Sequence, residues 1–237
     1  MNWKTLLATI VLVAFLEVGG KALTVVTTED GNGADTYLTN DSQQGPDTNT
    51  SAEVRMRAFR QLADTRSKTG YMRFDLTGAA EADLTGSYLT FEATYLKGAA
   101  KVVQVYGLID EGGDLWDEST ITYNTAPGML PATLGNYALD TTKVTLLGTI
   151  TTPAVPSPAV YPVTFSSNPT DLPLTNFLSA DTNKLVTFIF IGTNNEGEIA
   201  SKEHETFMAP TLTLVPEPAT LALLGLGSVV LLRGRRK

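Results

Sequence analysis

A short acidic loop contains the residues best suited to bind an ion. Glu29, Asp30, Asn32 and Asp35 lie close together in a stretch broken by Gly31 and Gly33. Carboxylate and amide oxygens are the hard ligands that calcium prefers. The spacing differs from that of an EF-hand, and Asp-Gly-Asn-Gly is equally an ordinary turn sequence. The loop therefore predicts either a calcium site or a simple turn, and no other cofactor is predicted.

Catalytic chemistry finds little support in the sequence. His204 is the single histidine and the chain has no cysteine, so triads of the Ser-His-Asp or Cys-His type rest on one residue or lack the nucleophile. His204-Glu205 begins a zinc-protease pattern, but Met208 occupies the second ligand position. No pair among the many acidic residues is marked out for glycoside hydrolysis. The sequence predicts a protein that is not an enzyme.

Charge limits the partners of the central part of the chain. Residues 23–214 contain 11 Lys and Arg residues and 23 Asp and Glu residues, a net charge of −12. Nucleic acid is excluded as a partner because phosphate neutralisation needs a basic face. Divalent cations and neutral sugars are compatible with this charge, whereas acidic polymers are repelled at long range unless a local basic patch or bridging calcium intervenes.

The N-terminus has the features of a secretory signal peptide. Lys4 precedes an apolar stretch from Leu6 to Leu16, and Gly20-Lys21-Ala22 offers small residues at a cleavage site. We expect signal peptidase to cut after Ala22, with Gly19 and Gly20 as competing sites, so that residues 1–22 are removed on export. A chain exported without cysteines needs a conventional core for stability, since it cannot form disulfides.

The C-terminus has three parts in a fixed order. The tripeptide Pro216-Glu217-Pro218 is followed by an apolar run from Ala219 to Leu232 and then by a basic cluster, Arg233, Arg235, Arg236 and Lys237. A helix over the apolar run reaches about 21 Å at 1.5 Å per residue, against roughly 30 Å for a bilayer core. The basic cluster would stay on the cytoplasmic side. We expect a short transmembrane anchor before processing.

This arrangement resembles the PEP-CTERM sorting signal of Gram-negative bacteria. The resemblance covers residues 215–237 and rests on the motif, the apolar run and the basic end together. It implies that an exosortase in the membrane recognises Pro216, Glu217 and Pro218 and processes the tail. The protein would then reach the cell surface or the extracellular matrix.

Residues 23–214 are predicted to form one all-β domain. Residues 88–95 alternate between apolar and polar side chains, with Leu89, Phe91, Ala93 and Tyr95 on one face. Further strands are predicted at 23–28, 35–39, 53–59, 71–76, 101–109, 144–150, 160–165, 184–191 and 211–215. A single helical segment is predicted at 171–178, and the proline-rich stretch 151–158 is predicted as an extended connection. Many short strands separated by turn signals indicate an antiparallel β-sandwich.

Several segments of this domain resemble DNRLRE-type modules, a group that includes alginate-binding carbohydrate-binding modules. The segments are Ala34–Leu38, Tyr71–Leu76, Val105–Leu108, Trp116–Pro127 and Ala200–Glu203 with Pro210–Leu214. The hexapeptide that names the group is absent, and Tyr123 stands where tryptophan is usual. The resemblance implies a jelly-roll-like sandwich of the kind carried by secreted surface proteins and polysaccharide-degrading enzymes.

Three aromatic residues of this block have two alternative roles. Trp116, Tyr106 and Tyr123 can form an exposed platform for a sugar or can fill the core. Trp116 is the only tryptophan left after signal removal, and a lone tryptophan in a sandwich favours the core. We predict an exported, non-catalytic protein that binds carbohydrate or exopolysaccharide. The alternative from another class is a structural matrix or adhesion protein without a ligand site, and a polysaccharide-active enzyme is a third, less favoured hypothesis.

Overall fold

The computed structural model describes residues 23–61, 65–79, 84, 86–110, 113–166, 173–193 and 197–215. The predicted signal peptide, the Pro216-Glu217-Pro218 motif, the apolar run and the basic cluster lie outside these residues. Within the described ranges, no helix is long and apolar enough to cross a membrane.

Two antiparallel sheets form the described structure. The first contains β1 (Thr24–Thr27), β3 (Arg55–Arg57), β6 (Tyr88–Gly98), β9 (Val155–Ser166), β11 (Glu198–Ala200) and β12 (Thr211–Leu214). The second contains β2 (Ala34–Thr39), β4 (Phe59–Gln61), β5 (Arg66–Asp75), β7 (Val102–Leu108), β8 (Val144–Thr151) and β10 (Leu185–Gly192). The two sheets pack as a sandwich, which confirms the predicted all-β fold.

The strand order leaves β8 and β9 at sheet edges. The first sheet runs β1-β12-β6-β11-β3, and β9 pairs with the opposite side of β6. The second runs β2-β5-β10-β7-β8, with β4 beside β5. Among the described strands, β8 pairs with β7 alone and β9 with β6 alone.

The main core lies between the sheets. Leu89 and Phe91 of the first sheet meet Phe74, Phe188 and Phe190 of the second. The rings of Phe91 and Phe190 pack edge to face with centroids 5.6 Å apart. Every residue of β10 is buried, as its continuous apolar sequence predicts for a strand covered on both faces.

A second core lies on the outer face of the second sheet. It contains the alternate residues of β5 and β10 that point away from the main core, namely Tyr71, Ile189 and Ile191. Side chains of the long segment 113–142 cover them, including Trp116 and Tyr123. This sheet is therefore buried on both sides, because an ordered loop layer takes the place of a third sheet.

A single helix, α1 (Pro173–Ala180), lies near the expected position in the described structure. Its bounds differ slightly from the predicted 171–178, of which residues 171 and 172 are not described. Pro173 at the first helical position has its preferred place, because the missing amide would be unpaired there anyway. Phe177 contacts Gly107 so closely that a Cβ atom on Gly107 would lie 2.5 Å from its ring. The glycine therefore lets the helix pack onto β7.

Three details of the predicted strands are wrong. Residues 53–59 do not form one strand, because the chain crosses from β3 to β4, which belong to opposite sheets. The stretch 151–158 is not a simple connection, since β8 extends to Thr151 and β9 begins at Val155. In β6, a register shift after Ala93 buries Leu96 to 2% exposure and leaves Tyr95 half-buried.

Candidate functional site

Trp116 is held in the second core by contacts on several sides. Its ring is 7% exposed and packs edge to face against Tyr71, with centroids 6.0 Å apart. The indole Nε1 donates to Thr187 Oγ1 at 3.1 Å. The structure therefore places Trp116 in a core rather than on an exposed platform.

Arg73 fixes the start of the Trp116 loop. Its guanidinium lies 4.6 Å from the centre of the Trp116 ring, in cation–π geometry. It also donates to three backbone carbonyls, those of Asn32, Asp114 and Trp116. Burial lowers the pKa of Arg73, while the carboxyl groups of Asp114 and Glu118 act in the opposite direction. One buried cation thus ties two loops to the sheet.

The other two aromatic residues differ in exposure. Tyr123 is 2% exposed, donates to Leu130 O at 3.0 Å and accepts from Ala138 N at 3.1 Å. Tyr106 is half-buried on the outer face of β7, where its hydroxyl donates to Gln104 Oε1 at 3.3 Å. Tyr123 is thus part of the loop framework, whereas Tyr106 lies at its margin.

Two of the predicted calcium ligands in the acidic loop, Asp30 and Asn32, are engaged in hydrogen bonds within the protein. Asp30 Oδ2 accepts from the backbone amide and the hydroxyl of Thr27 at 2.7 and 2.9 Å. Asn32 donates its backbone amide and its Nδ2 to Asp75 Oδ2, both at 2.8 Å. Hydrogen bonds from Thr77, together with these bonds from Asn32, hold the pKa of Asp75 at about 2, against the opposing effect of burial. Glu29 is exposed.

Asp35 leaves this loop and joins two distant glutamates. One carboxylate oxygen from each of Asp35, Glu118 and Glu203 lies within 4.8 Å of the others. Asp35 is 1% exposed and accepts from Thr28 Oγ1 at 2.5 Å and from the Lys202 backbone amide at 3.0 Å. Burial, aided by the charges of Glu203 and Glu118, raises the pKa of Asp35 to about 7.

The positive charge of Lys202 neutralises part of the negative charge of these three carboxyl groups. Its ammonium pairs with Glu118 Oε2 and lies 3.8 Å from Glu203 Oε1. Glu118 Oε1 and Glu203 Oε2 are buried and accept no hydrogen bond from the described residues. One ammonium against three carboxyl groups leaves the cluster acidic. Its buried oxygens are of the kind that a divalent cation binds.

The sequence contained a signal for this cluster that was not used. Asp35, Glu118 and Glu203 each belong to a different segment of the resemblance: the first strand, the tryptophan block and the closing segment. Only Asp35 was among the predicted ligands. The other two lie in segments far from it along the chain, so loop spacing alone could not have connected them.

Comparison with known families agrees with this architecture. The fold is that of an antiparallel β-sandwich module, and residues 27–146 match the sequence model of carbohydrate-binding module family 96. This match spans just over half of the chain, which therefore belongs to that family, and the predicted resemblance to carbohydrate-binding modules is confirmed. Residues 214–237 match the PEP-CTERM protein-sorting motif, as predicted. No curated protein matches the chain.

Each match carries a general functional meaning. A carbohydrate-binding module indicates binding of carbohydrate. The PEP-CTERM motif implies processing by an exosortase and indicates export to the envelope or surface of a Gram-negative bacterium.

Proposed function

We propose that this protein is a non-catalytic component of the cell surface or extracellular matrix that binds an exopolysaccharide. The observation that carries the proposal is the family match over residues 27–146, combined with the sorting motif at 214–237. His204 supports the non-catalytic part. Its Nδ1 accepts from the backbone amides of Thr206 and Phe207 at 3.2 and 3.3 Å, so it serves a local turn.

A second candidate is a structural matrix or adhesion protein without a ligand site. The burial of Trp116 and Tyr123 favours it, because neither ring is available to a sugar. A glycan array separates the two functions, with full-length protein in a detergent that carries no sugar. Reproducible binding to any glycan supports the first proposal. Absence of binding across neutral and acidic glycans favours the structural role.

Sorting is proposed to depend on Glu217. Two prolines with fixed φ angles flank this residue and restrict its backbone. The Glu217→Ala variant is expected to accumulate unprocessed in the inner membrane, anchored by the apolar run and the basic cluster, after signal peptidase has removed residues 1–22. The measurement is fractionation of cells that express both forms. Equal surface yield of variant and parent would contradict this role.

A structural cation is the remaining proposal. We propose that calcium binds at Asp35, Glu118 and Glu203, rather than at the full predicted set of Glu29, Asp30, Asn32 and Asp35. The supporting observations are the grouping of the three carboxylate oxygens within 4.8 Å and the buried oxygens of Glu118 and Glu203 that accept no hydrogen bond from the described residues. The ion would join β2, the tryptophan loop and the segment before β12, which would stabilise a domain without disulfides.

A further inference from the structure

One long segment of the chain carries no charge. Residues 144–170 contain no Asp, Glu, Lys, Arg or His, although 18% of the whole chain is Asp, Glu, Lys or Arg. This segment supplies β8 and β9, each of which lies at one edge of its sheet. Free strand edges are usually blunted by charged side chains, because exposed amides and carbonyls pair with other chains. Here both edges are neutral.

The two edges border a cleft of about 410 Å³. Ten residues line it, in two runs: 149–152 from the end of β8 and 161–166 from β9. Ile150, Val163 and Phe165 are buried below it. Of the six exposed residues that line it, all but Pro162 carry a hydroxyl group: Thr149, Thr151, Tyr161, Thr164 and Ser166. The cleft thus has an apolar floor and a hydroxyl-rich margin.

Tyr161 gives this cleft an exposed aromatic ring. It is 42% exposed, in contrast to the buried Trp116 and Tyr123. A tyrosine ring offers an apolar face together with a polar tip, and this combination suits a sugar ring, which has C–H faces and hydroxyl edges. Small-molecule sites generally combine apolar surface with a few polar groups that fix orientation.

The charge of the cleft selects among polysaccharides. Among the described residues that line the cleft, none has a charged side chain, so an anionic sugar would find no cation there to replace its lost hydration. The net charge of −12 on residues 23–214 would also repel an acidic polymer at long range. By contrast, another cleft, of about 230 Å³, is lined in part by Asp110 and Asp181. A neutral polymer at the β8–β9 cleft has no charge to desolvate and is not repelled by the net charge of the domain.

We infer that the cleft between β8 and β9 is the carbohydrate site and that its ligand is a neutral polysaccharide. This inference rests on the proposed carbohydrate-binding function and adds the site and the ligand class. Pro156, Pro158 and Pro162 in β9 lack amide donors, which disfavours a peptide strand as the occupant. Sugar hydroxyls can both donate to and accept from the threonine side chains of the margin.

Affinity electrophoresis of the full-length protein in a sugar-free detergent tests the inference. The gels contain neutral polymers (dextran, mannan, laminarin and xyloglucan) or acidic ones (alginate and polygalacturonate). We expect retardation by at least one neutral polymer and weaker or no retardation by the acidic ones. Tyr161→Ala should weaken binding about tenfold or more, as loss of an aromatic anchor does. The double variant Thr149→Val, Thr151→Val should also weaken it.

Controls make the outcomes distinct. Leu115 is 80% exposed and lies outside the cleft, so Leu115→Ala should bind like the parent, and all variants should keep the parent's melting temperature. Unchanged binding by the Tyr161 and threonine variants would overturn the site and leave carbohydrate binding intact. Preference for the acidic polymers would overturn the ligand class. Failure to bind any polymer would overturn the proposed function itself.

Discussion

Two regions, the tryptophan block (residues 116–127) and the β8–β9 segment (residues 144–170), differ in how recognisable their sequences are and in the role of their side chains. Residues 116–127 carry the most recognisable motif of the chain, yet Trp116 and Tyr123 are buried in the second core. Residues 147–170 lie outside the region that matches the family, yet residues 149–152 and 161–166 line an open, uncharged cleft. The residues of the recognisable motif form the framework of the domain. The residues that we infer to select the ligand lie at the β8–β9 cleft, outside that motif.

The largest expected effect tests the framework side of this comparison. Trp116→Ala should lower the free energy of unfolding by about 3–5 kcal/mol, the usual range for truncating a buried aromatic side chain. Thermal or denaturant melts measure it. Trp116→Phe is the matched control and should cost less, because it keeps most of the apolar contact and loses the bond to Thr187. A Trp116→Ala protein that melts like the parent but no longer binds glycan would make Trp116 a ligand platform.

Calcium should produce the next largest effect. An ion that binds only the folded state at about 100 times its Kd adds roughly 2.7 kcal/mol. Melts in calcium, in magnesium and in chelator are therefore expected to separate, with calcium highest, because an irregular carboxylate site favours the larger ion. Identical melts in all three solutions would contradict the site.

Two variants decide which acidic residues hold the ion. Glu118→Gln should abolish the calcium response, since Glu118 belongs to the buried cluster. Glu29→Gln should leave it unchanged, because Glu29 lies on the exposed loop. The reverse result would restore the loop of Glu29, Asp30 and Asn32 as the site.

A smaller effect concerns a buried aspartate beside the tryptophan. Burial raises the pKa of Asp114 to about 6; the polar side chains of Thr187 and Asn183 oppose this shift, and the negative charge of Asp110 adds to it. Both of its carboxylate oxygens are buried without a hydrogen bond from the described residues. A raised folded-state pKa means that this group's stabilising contribution is complete below pH 3.8 and is lost as the pH rises through about 6. Asp114→Asn should therefore stabilise the protein by about 1–2 kcal/mol at pH 7.5 and by little at pH 4.

The control for this pH dependence is Asp140→Asn, at a carboxyl group whose pKa is lowered by Thr142 rather than raised. It should not stabilise the protein at pH 7.5. An Asp114→Asn variant that is less stable than the parent at pH 7.5 would show that the charge of Asp114 is needed by Arg73.

The smallest effect on stability is expected at the open edge. Tyr161→Ala should change the free energy of unfolding by no more than about 0.5 kcal/mol, as is usual for exposed positions. A loss as large as that of Trp116→Ala would place Tyr161 in the framework and remove the contrast between the two regions.

The fold was predictable where side-chain periodicity is strong. The alternation at residues 88–93 and the apolar run at 184–191 correctly predicted β6 and β10. The bulge near Tyr95 and the crossing between β3 and β4 were not predictable, because both depend on partner strands distant in sequence. The same limit applies to the site. Asp35, Glu118 and Glu203 meet only through long-range pairing, and the cleft exists only because two sheet edges face each other.

The pairing of β1 with β12 has a consequence for how the protein is made. Thr24 lies opposite Leu214, so the first strand of the domain has the last as its partner. At about 5–20 residues per second, synthesis delivers the last strand roughly ten seconds or more after the first. Until then β1 lacks the strand with which it pairs, and the domain cannot close while its chain is still emerging. Only Val215 separates β12 from the Pro216-Glu217-Pro218 motif. The strand that closes the domain and the motif that directs sorting are therefore synthesised at almost the same time.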